Sequence, residues 1–72
     1  MWDVDVCTKV GRRIRKLRTE RAWTQVMLAD HAELTREHLS ELEAGRKEVG
    51  IRTLERIAKA LGLTLEQFFA DL

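Results

Sequence analysis

The sequence predicts an all-α fold of five short helices joined by tight turns. Three observations carry that expectation. Apolar residues recur at helical spacing in successive blocks, proline is absent, and turn-forming residues are scarce inside those blocks. A chain of 72 residues with 44% apolar content has room for one small domain over residues 1–72 and for no second core. A domain near this size buries only about 60% of the surface its unfolded chain exposes, so its stability is marginal and a partner subunit would add to it.

The first helix is expected to begin between Asp5 and Thr8 and to end near Glu20, with Val10, Ile14 and Leu17 along its apolar side. Arg12, Arg15 and Lys16 lie opposite, towards water. Arg18 falls at the edge of the apolar stripe, about 80° from Val10 at about 100° per residue, so its head group needs a partner near the core. Glu43 is the expected partner, forming a shielded ion pair. Trp23 precedes an N-cap at Thr24 and can pack on Leu28 as a hydrophobic staple.

The next stretch, Gln25 to Ala44, reads as two short helices separated by a sharp turn, a helix-turn-helix pattern. Leu28, Ala29 and Ala32 form one stripe, Leu39 and Leu42 the other, and Leu34 faces the shared core between them. Ala29 is small where two helices cross closely, since a larger side chain would hold them apart. Thr35 suits the N-cap of the second helix of the pair, whose outward face carries Arg36, Glu37, His38, Ser40 and Glu41.

Gly45 suits a left-handed helix stop, and Arg46 and Lys47 occupy the tip of the loop that follows. A fourth, core helix is expected from Ile51, Leu54, Ile57, Ala58 and Leu61, closed by Gly62. Thr64 and Gln67 form a capping box, with Leu63 stapling to Phe68, so the fifth helix starts at Leu65 and is expected to run to the chain end. Leu65, Phe68, Phe69 and Leu72 are more apolar surface than one stripe needs, so Phe68, Phe69 and Leu72 are expected to join a second subunit.

The net charge of +1 is unevenly spread, residues 1–21 holding seven basic groups against three acidic and the remainder six against nine. A basic first helix fits nucleic-acid attraction, and it equally fits an ordinary solvated face. No apolar run reaches the 18 or so residues of a membrane span, and MWDVDV lacks the basic and apolar regions of a signal peptide, so the expected location is cytoplasmic. Cys7 has no second cysteine to pair with and reads as a small hydrophobe. His31, His38 and Cys7 share no metal-ligand spacing, no glycine-rich phosphate loop is present, and neither histidine has a nucleophile at catalytic spacing. Neither an enzyme, a metal site nor a cofactor is expected.

With GRRIRKLR, then TQ, LA, LSELEAG and TLERIAKALGLTLEQFF in this order over roughly Val10 to Phe69, the chain resembles the phage-repressor, or Xre-type, family. It departs at Glu33, where the family usually has a glycine in left-handed conformation, at a cost of about 1 kcal/mol. It departs again at Val26 and Met27, apolar where the family is polar, as surface scatter or as a partner contact. The resemblance implies a lambda-repressor-like domain that binds double-stranded DNA as a homodimer on a palindromic operator. It places Arg36, Glu37, His38, Ser40 and Glu41 against the bases, with Thr24, Gln25, Thr35, Arg46 and Lys47 on the backbone. Against DNA stands the acidity of the third helix, where Arg36 faces Glu37, Glu41 and Glu43. The alternative is an interaction or antitoxin-type module that keeps the fold without sequence-specific DNA binding. The short chain resembles stand-alone regulators such as restriction-modification controller proteins.

Overall fold

The computed structural model describes residues 5–70 and 72. Residues 1–4, on which part of the signal-peptide expectation rests, lie outside them. The elements are α1 (Val6–Glu20), α2 (Gln25–Ala32), α3 (Arg36–Glu43), α4 (Ile51–Ala60) and α5 (Leu65–Phe68). Side-chain oxygens close the free N-termini of four of them. Asp5 accepts from the Cys7 N–H, Thr24 from Met27, Thr35 from His38, and Thr64 from Gln67. Gln67 returns the favour by accepting from the Thr64 N–H at 2.9 Å, which completes the expected capping box.

Ile14, Leu28, Leu39, Ile57 and Phe68 are the largest fully buried side chains, one from each helix. The stripe of α1 packs on α3, and α2 packs on both α3 and α4. Close approach of α1 to α3 depends on Gly11. A Cβ built there would lie 2.4 Å from the Leu42 carbonyl oxygen and 2.6 Å from that of Glu43. Both neighbours are backbone, so relief requires a helix to move. Gly11→Ala should therefore cost about 1 to 3 kcal/mol in overpacking, offset by up to about 1 kcal/mol of helix propensity, as read by urea unfolding. An equally stable variant would mean that the two helices separate freely.

Glu33 ends α2 at φ 60° and ψ 44°, the left-handed conformation expected for it. This lets the Leu34 N–H reach back to the Ala29 carbonyl at 2.8 Å and turns the chain into α3. Ala22 adopts a similar conformation, φ 58°, which no feature of the sequence announces. Three arginines satisfy helix-end carbonyls. Arg21 bridges the Leu17 and Leu61 oxygens, both at 2.8 Å, and Arg56 donates to that of Ala32 at 3.0 Å. Arg13 donates to the Phe68 and Gln67 oxygens at 2.7 and 3.3 Å.

Three expectations are corrected. Helix α5 stops at Phe68 instead of running to the chain end: the Ala70 N–H turns back to the Gln67 carbonyl and the Leu72 N–H to that of Phe69, while Arg13 of α1 donates to the Phe68 and Gln67 oxygens. Phe68 is fully buried and belongs to the core, so it offers no surface to a second subunit. Ile51 is 67% exposed although its angle matches the α4 stripe, since as the first residue of the helix it extends past the core. Leu54, Ile57, Ala58 and Leu61 are buried as expected. Trp23 packs against the core and also stacks on His31, ring centres 4.7 Å apart.

Candidate nucleic-acid interface

Helix α3 buries Leu39 and Leu42 and turns its other side to solvent. At about 100° per residue the outward face centres on Glu37, with Arg36 and Ser40 on one edge and Glu41 on the other. Arg36 and Glu37 are exposed, as are Thr24, Thr35, Arg46 and Lys47. Gln25, His38, Ser40 and Glu41 are half-buried, and His38 lies where the outward face meets the apolar stripe. The hydroxyls of Thr24 and Thr35 both serve as N-caps, each accepting from one backbone N–H, which leaves the hydroxyl hydrogen able to donate to a phosphate oxygen. The first N–H groups of α2, those of Gln25 and Val26, have no acceptor within the helix and are free to meet an anion.

The expected ion pair between Arg18 and Glu43 is present. Arg18 Nε donates to Glu43 Oε2 at 2.7 Å and Nη2 to Oε1 at 2.9 Å, while Nη1 donates to the Trp23 carbonyl at 2.8 Å. Glu43 Oε1 also accepts from Gln25 Nε2 at 3.1 Å, so one carboxylate ties α1, α2 and α3 together. Its hydrogen bonds push the Arg18 guanidinium above its already high ordinary value, outweighing the burial that would lower it. A second pair joins Glu41 to Lys47 at 3.3 Å across the end of α3, both partly exposed.

These two pairs change the electrostatics inferred from composition. Glu43 is neutralised by Arg18 and Glu41 by Lys47, leaving Glu37 against Arg36 on the outward face. The acidity that counted against a polyanion is thus largely cancelled within the fold. Neither the Gln25–Glu43 bond nor the Glu41–Lys47 pair was anticipated. Both join separate elements, and no periodic spacing marks such contacts.

Elsewhere, partial burial and then the Asp5 carboxylate push the Cys7 thiol above its ordinary value. Among the described residues no cluster of histidine, cysteine or carboxylate side chains could hold a metal ion. No helix of the described residues is long and apolar enough to cross a membrane. Val26 and Met27 are 50% and 40% exposed on α2, and Phe69 and Leu72 38% and 42% exposed at the C-terminal end. Phe69 and Val6 also border an apolar cleft of about 310 Å³ floored by Val10, Leu42 and Leu54.

The family model described as helix-turn-helix matches residues 14–68, which takes in all of α2 to α5 and the C-terminal part of α1 from Ile14. The chain belongs to the phage-repressor-like helix-turn-helix family. It is 46% identical over 62 residues to the immunity repressor protein of Bacillus phage phi105, covering 86% of this chain and 43% of that one. It is 33% identical over 69 residues to the control protein C.MunI from Mycoplasma sp., covering 94% and 93%. The chain therefore spans less than half of the phage repressor and nearly all of the control protein. Among solved structures, the restriction-modification controller protein C.AhdI from Aeromonas hydrophila superposes with a TM-score of 0.85 at 30% identity, covering 89% of this chain and 97% of that one. A restriction-modification controller tetramer in complex with its natural 35 base-pair operator superposes with a TM-score of 0.86 at 32% identity, covering 94% and 90%.

Proposed function

We propose that this chain, as one domain, is a sequence-specific double-stranded DNA-binding transcription regulator. It acts as a homodimer on a palindromic operator, with α3 in the major groove. The observation that carries this reading is the outward face of α3, whose flanking carboxylates are neutralised by Arg18 and Lys47 while Arg36 stays exposed. Arg36 can take guanine by a bidentate contact, Glu37 can accept from a cytosine amino group, and Ser40 can serve a base edge or a phosphate. Thr24, Gln25, Thr35, Arg46 and Lys47 position the backbone. The half-buried settings of His38 and Glu41 leave them peripheral base contacts. The similarity to a phage immunity repressor, a control protein and an operator-bound controller supports the same reading. It also supports a cytoplasmic regulator without catalytic activity.

Phe69 and Leu72 remain for the dimer contact once Phe68 is assigned to the core. A two-fold dimer places its α3 helices about 34 Å apart, one turn of B-DNA.

Selection of binding sites from a random DNA pool tests the proposal. Lys47→Ala should weaken binding to all DNA and lower the salt slope by about one unit per lost phosphate contact, counted in each subunit. Arg36→Ala should cost about 1 to 3 kcal/mol per half-site and relax preference at one base pair in each half, with nonspecific binding retained. Recovery of no consensus, or an unchanged consensus and affinity with Arg36→Ala, would favour the interaction module, for which Val26 and Met27 supply an exposed apolar face.

A further inference from the structure

A second concavity lies beside α3, on the side away from Lys47. It encloses about 390 Å³ and is lined by Arg15, Arg18, Gln25, Ser40, Glu43 and Ala44. Its polar groups are unequally committed. Arg18 and Glu43 cancel each other, and both oxygens of Glu43 are occupied by donors from Arg18 and Gln25. Arg15, in contrast, is exposed and has no ion-pair or hydrogen-bond partner among the described residues. What the groove offers a ligand is therefore one uncompensated guanidinium, the Ser40 hydroxyl and the second N–H of the Gln25 amide. A set of donors around a net positive charge takes an oxyanion and rejects a cation.

We propose that Arg15 is a phosphate-binding residue which, with Gln25 and Ser40, holds one DNA backbone phosphate in this groove. The inference rests on the DNA-binding reading and adds to it a grip on the second edge of α3. A helix lying in the major groove has a phosphate strand on each side. Ser40 and Glu41 stand on opposite edges of the outward face, about 100° apart. Lys47 accompanies Glu41, at 3.3 Å, and Arg15 shares the groove with Ser40. The two cations thus serve the two strands. A guanidinium suits the task because its planar donors match two phosphate oxygens at once.

The test uses the full chain and its selected operator. Arg15→Ala should weaken binding to all sequences and lower the salt slope by about 0.9 per lost contact, about 1.8 for a dimer. Lys16→Ala removes the same charge from the next position, outside the groove, and should change the slope far less. Replacing backbone phosphates one at a time by uncharged methylphosphonates should find one position per half-site that weakens the parent protein markedly more than it weakens Arg15→Ala, in which only Gln25 and Ser40 still hold that phosphate. Arg15→Lys should restore most of the slope, and the thermal midpoint of Arg15→Ala should match the parent. Equal slopes for Arg15→Ala and Lys16→Ala, absence of a coupled phosphate, or a lowered midpoint would overturn the role of Arg15 while leaving DNA binding intact. A parent protein without salt-dependent DNA binding would overturn both.

Discussion

Glu43→Ala should lower the unfolding free energy by about 3 to 5 kcal/mol, the largest loss expected from any single charge in the chain. Its partner, Arg18, is only 11% exposed at the side chain and Glu43 only 4%, so truncation strands a guanidinium at the edge of the core. The loss extends further, because Gln25 also gives up its acceptor and the three helices tied by one carboxylate are released together. A domain of this size holds only about 4 to 11 kcal/mol in all, at roughly 0.05 to 0.15 kcal/mol per residue, so the variant should lie near the edge of folding. Replacing both partners, as in Arg18→Met with Glu43→Leu, should be close to neutral, since no charge is then left buried. Urea unfolding at fixed protein concentration measures both. A double variant as unstable as Glu43→Ala would mean that the hydrogen bonds made by the pair, and not the penalty of a stranded charge, account for the loss. Because Glu43 raises the Arg18 guanidinium, that share of stability is complete below the ordinary arginine range and is lost only as pH rises through the folded-state value. No weakening on its account is expected anywhere near neutrality.

That this pair was legible in the sequence, while the Glu41–Lys47 pair was not, has a physical cause. A charge at the edge of an apolar stripe creates a demand that periodicity exposes, and Arg18 lies at such an edge. A surface pair creates no demand, being worth about 0 to 1 kcal/mol, and it forms only because a loop happens to return past the helix end. The caps at Thr24, Thr35 and Thr64 were legible for the same reason as Arg18, since a helix start leaves N–H groups that a local hydroxyl can satisfy, whereas α4 begins at Gly50 without a side-chain cap. Helix ends were harder. Arg13 donates to the last carbonyl of α5 from a position 55 residues away, and no local pattern at Gln67 or Phe68 signals it. Ile51 shows the converse limit. Spacing specifies an angle around the helix axis, and whether another element extends far enough along that axis to cover the side chain is decided by the assembled fold. For the candidate site, the outward face of α3 could be read from spacing, but the neutralisation of its carboxylates needed the positions of α1 and of the loop.

The adjacent phenylalanines at the end of α5 should separate folding from assembly. Phe68 is fully buried and Phe69 is 38% exposed, and their rings meet edge to face with centres 5.2 Å apart. Phe68→Ala removes a large ring from the core and leaves a cavity, at a cost of about 3 to 5 kcal/mol, which is about a quarter or more of the stability such a domain has. Phe69→Ala gives up the edge-to-face contact, about 0.5 to 1.5 kcal/mol, and little buried area. Its main consequence should fall on the second subunit, through an increased dimer dissociation constant and weaker, less cooperative operator binding. Urea unfolding and sedimentation over a range of concentrations, applied to both variants, distinguish the two effects. If Phe68→Ala folded as well as the parent and lost only dimerisation, the ring would have to face a partner and the burial assigned to it here would be wrong. If Phe69→Ala left association unchanged, the dimer contact would have to be sought elsewhere, with the exposed side chains of Ile51 and Val6 the next surfaces to vary.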